Sequence, residues 1–251
     1  MWRPFLLVMK TMRIGLLLVG DELLTGKIQD LNGFLVAQVC FKKGIRLAEI
    51  RVVADEMTEL AFAVREMSER FDIVITSGGI GPTHDDQTYA AIAQAFDVPL
   101  EIHESTKEKL TAYLLARGKE INGARLKMVT FPAGSKVATI PDLWLPLVSK
   151  KNIYILPGVP SLFALLLEPV LAQFEGEPKY TREIGTQIAE GDLAEVLEKA
   201  LEKWPDVIIG SYPQDRNAPH RVKVTLEGIL EASVVSVAAW LIEKLQGKIL
   251  N

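Results

Sequence analysis

The residues with the clearest chemical capacity lie in Thr76-Ser77-Gly78-Gly79-Ile80-Gly81-Pro82-Thr83-His84-Asp85-Asp86-Gln87-Thr88. Gly78, Gly79 and Gly81 allow the backbone to approach a ligand and to turn N–H groups toward an anion, and a helix beginning after them adds its positive end. Thr76, Ser77, Thr83 and Thr88 supply hydroxyl donors. The same glycines would also serve a tight structural turn. Asp85 and Asp86 have the wrong sign for an anion site. Two like charges at roughly 4 Å repel by about 1 kcal/mol in water and about 4 kcal/mol at a protein-surface dielectric. A helix N-terminus contributes only about 0.3 to 1 kcal/mol toward an anion. Repulsion therefore wins unless a cation is present. A Mg²⁺-like ion held by one or two carboxylates plus phosphate oxygens resolves the conflict. The alternative is that either aspartate, or Thr88, caps the following helix.

Two further loops follow apolar strands. Val19-Gly20-Asp21-Glu22-Leu23-Leu24-Thr25-Gly26 carries a second carboxylate pair, and Leu156-Pro157-Gly158-Val159-Pro160 is a turn of breakers. Right-handed β-α-β crossovers make successive strands parallel, so their carboxyl ends share one edge and distant residues line one crevice. Asp21 and Glu22 are thus expected to converge with Asp85 and Asp86 around a metal. Asp30 and Asn32 fall at the start of the next helix, where a cap explains one of them and ligand contact the other. His84 has no partner cluster of His or Cys and reads as loop surface.

The elements that must position these loops follow from hydrophobic periodicity. Strands are expected at 13–20, 45–53, 71–76 and 152–156, helices at 31–43, 58–70, 88–96, 104–117 and 161–174, and a hairpin at 137–140 with 146–149. The polar stretch Glu175-Gly176-Glu177-Pro178-Lys179 reads as a linker. Two domains are expected, 1–175 and 180–251, the second in the order β-α-β-β-α with strands at 181–188, 207–211 and 222–226 and helices at 192–202 and 230–245. That layer order fits a sheet with two helices on one face.

Composition narrows the function classes. The chain has 251 residues, 49% of them hydrophobic, and a formal charge of −4. This argues against a partner bound through a basic footprint, so no nucleic acid is expected, and the small domain lacks the Gly-x-x-Gly loop of one class of RNA binders. Cys40 is the only cysteine, which excludes an internal disulfide and favours a reduced, cytoplasmic setting; it reads as a core residue. Residues 1–10 imitate a signal peptide, but Lys10 and Arg13 interrupt a short apolar patch and no cleavage site follows. Met9 and Met12 are alternative starts, and no run is long enough to span a membrane.

Taken together, Gly20-Asp21-Glu22-Leu23-Leu24-x-Gly26 with Asp30 and Asn32, Gly78-Gly79-Ile80-Gly81-Pro82-Thr83-x-Asp85-Asp86-x-Thr88, and Pro157-Gly158-Val159-Pro160 resemble the MoaB/Mog-type molybdopterin-binding domain. Their form is closest to the CinA (competence-damage-inducible) family and the N-terminal domain of eukaryotic FAD synthase. Ile209-Gly210-Ser211-Tyr212-Pro213 and Val222-Lys223-Val224-Thr225-Leu226 resemble the small domain that follows in both. Relatives often place a glutamate within two positions after Pro160, where this chain has Ser161 and Leu162.

The resemblance implies an α/β fold with a three-layer α/β/α domain on a mostly parallel sheet, plus a small two-layer α+β domain. It implies a crevice for a pterin or nucleotide, a homo-oligomer, and a pyrophosphatase dependent on Mg²⁺ or a similar divalent cation that acts on ADP-ribose or FAD. Carried over by residue, Asp21, Glu22, Asp85 and Asp86 surround metal and diphosphate, with Asp21, Asp85 or Asp86 as base. Gly20, Asn32, Thr76, Ser77, Gly78, Gly79, Gly81, Thr83, Thr88, Pro157 and Gly158 contact the ligand. The chain ends at Asn251 before any FAD-forming or amidase segment, so FAD synthesis is not expected. Two other readings stay open: adenylylation of molybdopterin, against which the small domain speaks, and a binding module without chemistry.

Overall fold

The structure is a computed structural model that describes residues 12–177 and 179–250. The expectations about a signal-like start concern residues outside that range. The chain divides into two compact units, the first ending at Gly176 and the second beginning at Glu177.

The first unit runs β1 (Arg13–Val19), α1 (Asp21–Leu24), α2 (Asn32–Lys42), β2 (Arg46–Val53), α3 (Met57–Arg70), β3 (Ile73–Ser77), α4 (Thr88–Ala95), β4 (Leu100–Ile102), α5 (Glu104–Leu115), α6 (Gly123–Lys127), β5 (Thr130–Pro132), β6 (Lys136–Ala138), β7 (Leu147–Lys150), β8 (Ile153–Leu156) and α7 (Pro160–Leu171). Its main sheet has the order β2-β1-β3-β8-β7-β6. The first four strands are parallel, and β7 and β6 add on antiparallel. In β1, six successive residues from Ile14 are buried, as expected of a strand covered on both faces. The position of Gly15 faces Met67 and Phe71 of the α3 end, whereas Leu18 lies near Gly33 of α2. Helices α2 and α7 pack together, as do α3 and α4, which gives the three layers. Cys40 lies in this core, where burial pushes its thiol up to about 11.

Three details depart from the sequence expectation. The segment after β1 is a one-turn helix rather than open loop. Helix α7 ends at Leu171 rather than at 174; Pro169 sits inside it, and the chain tightens through Gln173 N–H to Val170 O and Phe174 N–H to Leu171 O. The region of the expected break at 131–135 contains β5, which pairs with β4 in a separate two-stranded sheet, and α6 precedes it. All three residues of β4 are exposed, so no alternation marks that strand.

The second unit runs β9 (Tyr180–Thr186), α8 (Glu190–Lys203), β10 (Val207–Pro213), β11 (Val222–Gly228), α9 (Glu231–Leu245) and β12 (Lys248–Ile249). Its antiparallel sheet has the order β10-β11-β9-β12. Strand β11 alternates buried and half-buried residues along its length, so one face carries the core. Ile184, Val222, Val224 and Leu226 meet Leu193 of α8 and Val234, Val237 and Leu241 of α9. Among the described residues no helix is long and apolar enough to cross a membrane.

Candidate functional site

The carboxyl ends of β1, β3 and β8 are joined at one point. Gly78 follows β3 with φ +102°, and a Cβ there would lie 2.4 Å from the Val19 carbonyl oxygen at the end of β1. No larger residue fits such a contact with backbone. The Gly78 N–H donates to Leu156 O of β8 at 3.1 Å. Asn32, the first residue of α2, reaches across the gap: its Nδ2 donates to Ser77 Oγ at 2.9 Å and to Gly158 O at 2.8 Å. Its own position is set by Asp30, whose carboxylate accepts from Asn32 N–H at 3.0 Å and Gly33 N–H at 2.9 Å. Asp30 therefore holds the first N–H groups of α2 from the position before the N-cap Leu31, and Asn32 borders the site.

A crevice of about 570 Å³ opens over this junction, within the range of small-molecule sites. Its lining includes an acidic wall, Glu22, Asp55, Asp85 and Asp86, and an apolar lip, Ile28, Leu31, Trp144 and Val159. Asp55 stands just past β2. Its Oδ2 accepts from Asp21 N–H at 3.0 Å, and its own N–H donates to Asp21 Oδ1 at 3.3 Å. Burial raises the Asp55 pKa, and the nearby charges of Asp21, Glu22 and Asp85 raise it further, partly offset by the Asp21 N–H. The Asp85 carboxyl is held below its ordinary value by the Thr83 side chain and its own backbone N–H. The acidic wall is thus an electrostatic conflict among carboxylates from β1, β2 and the glycine loop.

Gly20, Glu22, Asn32, Ser77, Gly78, Gly79, Gly81, Asp85, Asp86, Pro157 and Gly158 all line the crevice. Asp21 stands behind its wall through Asp55. Three of the expected groups already have partners within the protein. The Gly78 N–H is taken by Leu156 O, so it cannot face an anion. The Thr88 hydroxyl donates to Gly78 O at 2.8 Å from a fully buried position, and Thr76 is also fully buried; both stand beneath the site. Asp86 Oδ2 accepts from Thr83 N–H at 2.8 Å and Thr83 Oγ1 at 2.5 Å, so Asp86 and Thr83 brace the loop. His84 is fully exposed, as expected of loop surface.

Among the described residues, no three His, Cys, Asp or Glu side chains are gathered closely enough to hold a metal alone. Asp55 was missed in the sequence. Its signal was the position itself, an acid two residues after the Val52-Val53 end of a fourth parallel strand. Trp144 had no sequence signal, because it comes from the irregular segment between β6 and β7.

Comparison with known proteins supports the geometry. Residues 15–175 match the family described as "Probable molybdopterin binding domain", and residues 178–251 match "FAD synthase, middle domain". The chain is 31% identical to a "Probable FAD synthase" of Caenorhabditis elegans, an alignment that covers 93% of this chain and 50% of the relative. It therefore spans about half the length of that relative. It is 33% identical to a protein of Pyrococcus horikoshii over 74% of this chain and 78% of the relative. A crystal structure of CinA from Thermoplasma acidophilum, described as of unknown function, is 27% identical and covers 64% of this chain and 98% of its own, with a TM-score of 0.56. The parallel sheet, the joined strand ends and the match over residues 15–175 agree, and the chain belongs to the molybdopterin-binding-domain family with CinA-like and FAD synthase relatives.

Proposed function

We propose that this chain is a divalent-cation-dependent pyrophosphatase that splits the diphosphate of an ADP-linked metabolite of the ADP-ribose or FAD class. The observation that carries this reading is that Glu22, Asp55 and Asp85 line one crevice together with the Gly79–Gly81 turn, with Asp21 bonded to Asp55. Asp55 is raised first by burial and then by the charges of Asp21, Glu22 and Asp85, and carboxylates gathered in this way have the donor chemistry of a hard cation site. Mg²⁺ is usually held by one or two carboxylates plus substrate phosphates rather than by an all-protein cage, so the loose spacing of these acids fits that ion. Glu22 and Asp85, which line the crevice, would hold it together with the phosphate oxygens. When bound, it would neutralise the diphosphate and polarise the phosphoryl oxygens. The relative named for FAD supports the substrate class, because FAD is a dinucleotide joined through a diphosphate.

The chain's own groups have distinct tasks in this reading. Gly79 has φ +65° and, with Gly81, lets the turn come close to the phosphates. The apolar lip of Ile28, Leu31 and Trp144 receives a ring. Asp55 takes a proton from the attacking water. Burial raises its pKa whereas that of Asp85 is held down, which makes Asp55 the stronger base of the two. Water adds to one phosphorus, the bridging P–O bond breaks, and AMP leaves together with the second phosphate ester. The test is AMP release from ADP-ribose and FAD with Mg²⁺, Mn²⁺ or Co²⁺, for the wild type and Asp85→Asn. If both compounds stay intact with every metal while calorimetry shows tight binding, the chain is a binding module and this reading is wrong.

A further inference from the structure

The outer strands of the two larger sheets differ in how they are protected. A free strand edge offers unpaired N–H and C=O groups to other chains, and proteins blunt it with charge, proline or shortness. In the first unit β2 carries Arg46, Glu49 and Arg51, and β6 has three residues, one of them Lys136. In the second unit β12 has two residues, one of them Lys248. The remaining outer strand, β10, runs Val207-Ile208-Ile209-Gly210-Ser211-Tyr212-Pro213, seven residues without a charge. Ile208 and Tyr212 stand opposite Glu227 and Lys223, which alternate with the core residues Val224 and Leu226, so both lie on the sheet face away from the helices. They are 59% and 52% exposed. The charges next to them are engaged within the unit, Glu227 with Lys179 and Lys223 with Glu183.

The direction of the backbone groups follows from the register. Gln214 N–H donates to Arg221 O at 2.9 Å, which in this antiparallel ladder makes Tyr212, Gly210 and Ile208 the residues bonded to β11. Ile209 and Ser211 therefore turn their N–H and C=O groups outward, where no further strand lies among the described residues. The Val207 N–H is taken by Trp204 O, and Pro213 has no N–H. The outward donors are thus Ile209 and Ser211, placed symmetrically about Gly210.

We infer that β10 is an interface for a second copy of this chain, the two strands pairing antiparallel about a twofold axis at Gly210. Ile209 of each copy lies opposite Ser211 of the other, and each such pair exchanges both backbone bonds, so every outward donor is used. Val207 and Pro213 meet at the ends, where neither has a donor to leave unpaired. Gly210 meets its own copy at a non-hydrogen-bonded site, where Cα atoms come within about 4.5 Å, and it has no side chain to obstruct the approach. Ile208 of each copy lies opposite Tyr212 of the other, an aliphatic–aromatic pair of the kind that stabilises sheets. Side chains select this register. Centring on Ile209 sets Tyr212 against Asp206 of the other copy, and centring on Ser211 sets Ile208 against Gln214. The interface is independent of the chemistry proposed for the crevice.

The experiment is sedimentation velocity of the full chain over a dilution series, where the wild type should dimerise. Ile208→Lys with Tyr212→Lys sets like charges at both symmetric pairs and should weaken the dimer about tenfold or more. Ile208→Lys with Tyr212→Glu turns the same pairs into opposite charges and should return to within about threefold of the wild type. Both positions are exposed, so thermal melts should confirm intact folds. As a second readout, Ile208→Cys with Tyr212→Cys should give a disulfide-linked dimer on mild oxidation. Neither single cysteine should, because the two positions meet only across the axis and are about 13 Å apart along one strand. The inference is overturned if the wild type stays monomeric at every concentration used for the cysteine variants, if the two charge variants associate alike, or if a single cysteine cross-links as readily as the pair.

Discussion

Asp21 and Asp55 exchange hydrogen bonds, each backbone N–H donating to the other's carboxylate at 3.0 and 3.3 Å. This clasp ties the end of β1 to the end of β2 and holds two negative charges side by side. Backbone donors make the pair tolerable, as they favour the charged form. They do not cancel the repulsion, and Asp55 remains raised by burial and by Asp21, Glu22 and Asp85. The strand-end geometry therefore gathers negative charge in the crevice that the glycine turn also lines, which connects the fold to the proposed cation.

Asp55→Asn keeps an oxygen acceptor for the Asp21 N–H and removes one charge from the conflict. Without divalent cation the variant should melt at or slightly above the wild-type temperature. Adding MgCl₂ should raise the wild-type midpoint by about 2 to 4 °C, corresponding to about 1 kcal/mol for a chain of this size, and should raise the variant less. AMP release should fall by about 10² or more, the usual loss for a general base. Equal Mg²⁺ stabilisation of both proteins in thermal melts would show that the Asp55 charge does not act on the cation.

Gly78→Ala tests the joint between strand ends. The added methyl would sit 2.4 Å from Val19 O at φ +102°, where both contact and conformation are unfavourable. Strain of this kind costs about 1 to 3 kcal/mol. Urea unfolding should report that loss in the first unit, and nucleotide affinity should fall with it. Gly123→Ala in α6 is the control, because a Cβ there meets nothing within 4 Å; it should be neutral or stabilise by up to about 1 kcal/mol.

The parts of this site legible in the sequence were those marked by unusual residue types. The Gly78 loop, the Asp21-Glu22 pair and the Pro157-Gly158 turn interrupt apolar strands, so both their location and their shared edge followed from strand-helix alternation. What each side chain does there was not legible. Thr88 and Asp86 look like ligand donors by type, yet both are bonded within the loop. Asp55 looks ordinary, and only its neighbours, 34 positions away in the chain at Asp21, give it its character. Strand β4 was missed for a different reason: its three residues are all exposed, so it lacks the alternation that reveals a strand.

Glu66 predicts a pH response in the first unit that is independent of the site. Arg51 and Arg70 bond its carboxylate, with the Arg51 hydrogen bond the larger influence, and hold its pKa down at about 2. Its folded value lies below its unfolded value, so the ion pairs stabilise the protein fully above about pH 4.3, the ordinary glutamate value. That stabilisation is lost as pH falls toward 2. Glu66→Gln should flatten the fall in melting temperature over this window, and salt at about 0.5 M should do the same in the wild type, because the network is at the surface and screened. Identical acid profiles for variant and wild type would show that the network contributes nothing.

Asn32 makes the sharpest prediction, because one side chain joins three elements. It is 5% exposed, its Nδ2 bridges Ser77 Oγ and Gly158 O, and its Oδ1 has no partner although the residue borders the crevice. Asn32→Ala removes both donations and leaves the Gly158 carbonyl without this donor, which should destabilise the first unit by about 1 to 3 kcal/mol. Asn32→Asp keeps the shape but sets a carboxylate oxygen against the Gly158 carbonyl, so it should be worse than alanine despite being nearly isosteric. A ligand donor that satisfies Oδ1 would separate stability from binding. In calorimetry Asn32→Ser, which can still donate to one partner, should recover part of the stability lost in Asn32→Ala but not the affinity for ADP-ribose. If affinity and stability instead recover together, Asn32 acts only by joining the strand ends.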